Sequence, residues 1–367
     1  MMEEKDLIVL KRIEDEIQKI DEKKSNIYFF VLDTKGNQSG SLEYIYKLAL
    51  ILNEDGYNVT MLYQKEKDEE FIGVRDWLGD TYADLKHEDI SDEEVSVSPC
   101  DILFIPEIFS NIMIQTKKLP CKRIAILQNY DFILEQMPMS AQWGDLGIME
   151  SITNTDVNSS LLKEIFPYVK TTTIEPYIDK MYGETEEPKE LIINIMAKDQ
   201  SDINRIVKPF YWKYPMYKWV SFRDLRGFPK ESYAKMLRES ALTIWVDDNT
   251  SFGYGALEAM KSGSIVMAKT TELAQKWMEN GDGVNLKNCC VWFDTFHECH
   301  KMIASVVRAW ITDNVPDEIN KCVKEVLSLY SYDKTKETLL QFISGVLENR
   351  KNEMKTLITT IKNKEEK

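Results

Sequence analysis

The chain has 367 residues, 43% hydrophobic, 11% aromatic and 29% charged, a balance that suits globular cores and excludes extended disorder. That length favours two domains with a cleft between them over a single core. The formal net charge of −15 repels phosphate backbones at long range, which argues against a nucleic-acid acceptor in the absence of a local basic groove.

Residues 1–24 are charge-rich, yet Leu10, Ile13, Ile17 and Ile20 recur at helical spacing, so an N-terminal amphipathic helix is expected. Packing on its own body is favoured over a coiled-coil homodimer through this helix, because the pattern covers barely two heptads. Residues 25–182 read as a first Rossmann-like domain. Ile27 to Leu32 is an apolar run of strand formers, Asp33 to Ser41 a glycine-bearing loop, and Leu42, Ile45, Leu48, Ala49 and Leu52 a helical repeat ahead of the strand Asn58 to Tyr63. Such β-loop-α-β alternation requires right-handed crossovers and a parallel sheet with helices on both faces. Residues 65–94 carry twelve acids against four bases and read as solvated surface, with His87 isolated among them. Further strands are expected at Asp101 to Ile105 and Arg123 to Leu127, the second running into the turn Gln128-Asn129-Tyr130-Asp131.

The Glu-, Lys- and Pro-rich residues 183–190 read as a linker, and residues 191–334 as a second Rossmann-like domain. Its strands are expected at Leu191 to Met196, Tyr217 to Phe222, Leu242 to Val246 and Ser264 to Ala268. Residues 335–367 suggest one or two closing helices. No apolar run reaches the ~20 residues that span a bilayer, and Met1 to Asp6 lacks the marks of a signal peptide, so a cytoplasmic location is expected.

The stretch from Asp247 to Gly263 carries the most information. Small residues and glycines after a strand and ahead of a helix let backbone N–H groups approach an anion, and the helix N-terminus adds positive potential. Read from Gly227 to Ala268, the order Gly-Phe, a helix ending Arg238-Glu239-Ser240-Ala241, a strand, Phe252-Gly253, Leu257-Glu258-Ala259-Met260, Gly263 and a closing strand resembles the donor-binding half of retaining GT-B glycosyltransferases, of the glycogen synthase-like kind.

That resemblance implies an α/β fold of two facing Rossmann-like domains, acceptor-binding first and donor-binding second, and an enzyme that moves a sugar from a nucleotide diphosphate sugar to an acceptor hydroxyl. It also implies retention, independence of metal and cofactor, and a role in surface polysaccharide or glycoconjugate synthesis. A UDP-sugar is the first expectation for the donor, with GDP- and dTDP-sugars open, and a saccharide or other hydroxyl compound for the acceptor. Glu258 would contact the nucleotide ribose; Ser251, Phe252, Gly253, Tyr254 and Gly255 would lie by the diphosphate. Thr250 stands where the family has the first glutamate of a Glu-x7-Glu pair. Either Asp248 substitutes for it, or the donor sugar differs, or the activity is degenerate. Lys198 and Arg205 are candidates to neutralise the leaving diphosphate. Arg223 could do the same or frame the nucleobase. In the first domain, Gly36 and Gly40 would face the donor phosphates, and Gln128, Asn129 and Asp131 the transferred sugar or acceptor.

Other constellations are weaker. His297, Cys299 and His300 near Cys289 and Cys290 lack paired Cys-x2-Cys spacing, so no metal site is assigned. The six cysteines follow no framework and are expected as free thiols. P-loop, dinucleotide and serine-hydrolase fingerprints are absent. A sugar-nucleotide epimerase, a non-catalytic GT-B subunit and a transferase acting on modified DNA are the alternatives. The aromatic run from Phe210 to Trp219 reads as core or interface.

Overall fold

The computed structural model describes residues 4–65, 70–91, 95–183, 188–248, 252–270, 289–314, 323–325 and 327–365. Helix α1 (Glu4–Asp21) precedes β1 (Asn26–Phe30), α2 (Gly40–Glu54), β2 (Asn58–Tyr63), two single turns α3 (Arg75–Leu78) and α4 (Asp80–Ala83), and β3 (Lys86–Asp89). There follow β4 (Ile102–Pro106), α5 (Ser110–Gln115), β5 (Lys122–Leu127), α6 (Tyr130–Gln136), β6 (Glu150–Thr153), α7 (Asp156–Ile165) and β7 (Lys170–Thr173). These strands pair in parallel in the order β3-β2-β1-β4-β5-β6-β7. The apolar run of β1 serves both faces: Ile27 and Phe29 enter the core beneath α2, whereas Tyr28 and Phe30 enter the core on the other side. A strand covered twice has no polar face to alternate with.

The second sheet contains β8 (Glu190–Ala197), β9 (Ser221–Asp224), β10 (Ser240–Val246), β11 (Ile265–Lys269) and β12 (Cys290–Phe293), in the parallel order β12-β11-β10-β8-β9. Between them run α8 (Gln200–Lys213), α9 (Lys230–Glu239) and α10 (Tyr254–Lys261), with α11 (Phe296–Ile311) after β12. One long helix, α12 (Tyr332–Glu365), then returns to the first sheet and buries Leu339, Ile343, Val346 and Leu347 in its core. The chain is thus an α/β protein with two parallel sheets. Strand order reverses between β1 and β4 in one sheet and between β8 and β10 in the other. At such switch points neighbouring loops diverge and leave a ligand crevice beyond the strands' C-terminal ends.

Several sequence expectations need correction. Helix α1 packs against α12, with Leu10 and Ile20 buried, so the face on which a homodimer would rest is covered by the chain itself. His87 is not isolated: it lies in β3, where Nε2 meets the Tyr46 hydroxyl at 2.7 Å and Nδ1 the Leu85 carbonyl at 2.6 Å. The strand expected at Tyr217 to Phe222 begins instead at Ser221, because Tyr214 and Tyr217 hold a 3-10 turn against the Phe210 ring. Cys100, Cys121, Cys290 and Cys299 are free, but Cys289 is disulfide-bonded, a pairing that depends on tertiary approach and leaves no mark in chain spacing. Residues 184–187 of the expected linker, and Thr250 and Ser251, lie outside the described residues.

Candidate active site

On the first-domain side, the loop after β1 turns through Gly36, whose φ of +79° favours glycine, and reaches the Ser39 cap of α2, whose side chain accepts from the Leu42 N–H at 3.3 Å. Gly40 then touches the second domain: a Cβ there would lie 3.2 Å from the Tyr254 ring. Across the switch point, β4 is followed directly by Glu107, a residue the sequence reading missed. Its buried carboxylate accepts the backbone N–H groups of Gln128 and Asn129 at 3.0 and 2.8 Å through Oε1. Oε2 meets no hydrogen-bond donor among the described residues. Burial pushes this carboxyl up to about 7, against the pull of those amides. Glu107 therefore fixes the turn after β5 that Gln128, Asn129 and Asp131 were expected to supply. Asn158 reinforces it by donating to the Gln128 carbonyl at 2.8 Å, and Asn129 Oδ1 accepts from the Asp131 N–H at 3.0 Å.

On the second-domain side, β10 leads to Gly253, which takes the left-handed conformation (φ 73°, ψ 48°) that starts α10. Phe252 is buried edge-on against Tyr254 and Tyr330. One turn into α10, Glu258 is buried near the Tyr182 and Tyr233 hydroxyls, the second of which meets Met196 Sδ at 3.6 Å. Burial, followed by the Glu43 carboxylate, pushes Glu258 up to about 7, while Lys230 and Lys47 oppose the rise. Gly255 leaves room beside it, since a Cβ there would come 2.8 Å from Met196 Sδ and 3.4 Å from the Tyr233 hydroxyl.

The expected cations are distributed unevenly. Lys198, at the second switch point, bonds Asp247 at 2.8 Å. Asp248 is held by Lys269 at 2.7 Å, Arg205 by Asp202 at 3.2 Å, and Arg223, within β9, by Glu239 at 3.0 Å. Gly40 and Tyr254 meet, as do Lys198 and the strand end that precedes the Phe252 to Gly255 loop. Arg205, Arg223 and Asp248 pair instead with Asp202, Glu239 and Lys269.

Between the domains is a charged cluster that the sequence reading also missed. Lys230 of α9 reaches Glu43 of α2 at 2.7 Å and Asp179, on the chain crossing, at 2.6 Å. Lys47, 1% exposed, reaches the same two acids at 2.8 and 3.2 Å and lies 5.0 Å from the Tyr254 ring centre. Two cations and two anions alternate, so each charge is paired twice in a dry setting. These contacts hold the Glu43 and Asp179 carboxyls below their ordinary range despite burial, and hold both lysines above theirs. The signal in the sequence was Glu43 and Lys47, four apart on an otherwise apolar helix.

Among the described residues, no helix is long and apolar enough to cross a membrane, and no group of three or more His, Cys, Asp or Glu is arranged to hold a metal. No protein-family model matches the chain. It is similar to the curated Alpha-1,6-glucosyltransferase of Actinobacillus pleuropneumoniae serotype 7 (strain AP76), with 24% identity over 248 residues, 66% of this chain and 72% of that protein. Among solved structures it resembles the pneumococcal O-GlcNAc transferase GtfA, crystallised with UDP and GlcNAc, at a TM-score of 0.60 and 8% identity over 88% of this chain and 99% of that one. It likewise resembles Anabaena HepE in complex with UDP-glucose, at a TM-score of 0.60 and 11% identity over 87% of this chain and 99% of that one. In fold, the chain belongs with the GT-B glycosyltransferases.

Proposed function

We propose that the chain transfers a glycosyl unit from a UDP-sugar to an acceptor hydroxyl. One observation carries the reading: Glu258 lies buried one turn into α10, behind the Phe252 to Gly255 loop and opposite the Gly40 helix start. A carboxylate there suits two adjacent ribose hydroxyls. The α10 N-terminus favours the diphosphate. UDP crystallised with GtfA and UDP-glucose with HepE support uridine as the base.

In the reaction, the bond from the anomeric carbon to the β-phosphate oxygen breaks, its electron pair leaves with UDP, and the acceptor oxygen bonds the same carbon as its proton passes to a phosphate oxygen of the departing UDP. Lys198, and Arg205 if freed from Asp202, would stabilise the charge that develops on UDP. Gln128, Asn129 and Asp131 would meet the acceptor or transferred sugar from the crevice held by Glu107. Retention and independence of metal follow the family resemblance, as does a role in polysaccharide or glycoconjugate synthesis. Asp248 remains the candidate to replace the carboxylate absent at Thr250.

Thermal shift with UDP, UDP-glucose and UDP-N-acetylglucosamine tests the donor, and mass spectrometry of the incubated sugar tests its fate. Stabilisation by one donor with slow hydrolysis is expected, and Glu258→Ala should weaken donor binding by at least about tenfold. Unchanged affinity in that variant would remove Glu258 from the site. Thr250 motivates a second reading, a non-catalytic subunit, for which donor binding without turnover would speak; an isomerised donor would indicate an epimerase.

A further inference from the structure

The aromatic run of the second domain divides into two halves. Phe210, Tyr214 and Tyr217 pack inward on one another and on the core beneath α8, and the Tyr211 hydroxyl donates to the Val220 carbonyl at 2.6 Å. Trp212, Met216 and Trp219 point away from that core and are 77%, 64% and 59% exposed. A single exposed apolar side chain signifies little, but three within eight residues on one rigid turn, two of them tryptophan, make a patch.

The charges around it are one-sided. Residues 203–223 contain Arg205, Lys208, Lys213, Lys218 and Arg223 and no carboxylate, in a chain whose net charge is −15. Arg205 and Arg223 are paired with acids beyond this stretch, whereas Lys208, Lys213 and Lys218 are exposed and make no ion pair among the described residues. Lys213 and Lys218 stand directly beside Trp212 and Trp219 in the chain.

We infer that the turn from Trp212 to Trp219 docks on an anionic lipid bilayer, with the two indoles and Met216 entering the headgroup region and the lysines meeting lipid phosphates. Indoles prefer the polar-apolar boundary, and flanking lysines add attraction to an anionic surface. A protein partner fits less well, since lysine is depleted from protein interfaces, and a two-fold dimer here would set lysine against lysine. Position agrees: α8 starts near the switch point, and its far end and the turn into β9 lie at the N-terminal edge of the second sheet. Docking therefore leaves the crevice by Lys198 and Asp247 open, and the inference stands whatever the donor proves to be.

Cosedimentation of the full chain with vesicles tests it, using phosphatidylcholine alone and phosphatidylcholine with about a third phosphatidylglycerol. Binding to the anionic vesicles is expected, with roughly tenfold less to neutral ones and progressive release as salt rises. Trp212→Ala with Trp219→Ala, and separately Lys213→Glu with Lys218→Glu, should each cut binding about tenfold while circular dichroism and melting temperature stay unchanged, because these side chains are exposed. No binding to anionic vesicles, or binding undiminished in both variants, would overturn the inference. So would loss in these variants of duplex-DNA binding or of self-association by a chain that ignores vesicles.

Discussion

Burial raises the carboxyls of Glu107 and Glu258 to about 7 from an ordinary 4.5. Ionising either one in the folded chain therefore costs about 3 kcal/mol more than in the unfolded chain. The sign follows from proton counts. Between pH 4.5 and 7 the folded state holds protons that the unfolded state has released, so stability is greatest below the unfolded value and falls as pH rises through the folded one. Glu107→Gln keeps an oxygen for the Gln128 and Asn129 amides and removes the charge. It should flatten the pH dependence of urea-unfolding free energy by about one proton and raise stability at pH 8. Glu107→Ala, which also deprives both amides of their acceptor, should be less stable than Glu107→Gln by about 1–3 kcal/mol at every pH. Glu107 escaped sequence reading because an acid after a strand is ordinary; its importance comes from β5 lying alongside, which only pairing reveals. Glu258 was legible because the residues that place it, Phe252 to Gly263, are contiguous in the chain.

At the level of elements, α2, the crossing at Asp179 and α9 are joined by the cluster of Glu43, Lys47, Asp179 and Lys230. Removing one member leaves an uncompensated charge in a dry interface, which costs more than the pair contributes. Lys230→Met should therefore lower unfolding free energy in urea by about 3–5 kcal/mol. Adding Glu43→Gln should return part of that loss, a coupling that surface charges would not show. The strands that were readable, β1, β2, β4, β5, β8, β10 and β11, are apolar runs buried on two faces. Those that were not, β3, β6 and β7, carry Lys-His-Glu-Asp, Glu-Ser-Ile-Thr and Lys-Thr-Thr-Thr at the two flanks of the first sheet, where neighbours and not side-chain hydrophobicity make the strand. The interdomain charges were hidden for a related reason, since their partners stand up to 187 residues apart.

For the whole molecule, the second domain is bracketed by two crossings of the chain, which run side by side where the Ile178 N–H meets the Tyr330 carbonyl at 3.2 Å. After the second crossing, α12 lies along α1 and α2 and contributes Leu339, Ile343, Val346, Leu347 and Met354 to the first domain's core. The first domain is therefore incomplete until the end of the chain arrives, and the two domains cannot be separated by cutting once between them. At about 1.5–3 kcal/mol for each buried side chain, these five supply on the order of 10 kcal/mol, comparable with the net stability of a whole domain. A chain ending at Ser331 should consequently fail to fold its first domain, seen as loss of soluble protein or as a non-cooperative melt by circular dichroism. A chain ending at Leu357, beyond the last of those five residues, should melt cooperatively within a few degrees of the full chain. If the shorter chain instead melted cooperatively near the full-length temperature, α12 would be a surface ornament, and the burial of Leu339 and Ile343 would have to be explained without any contribution to stability.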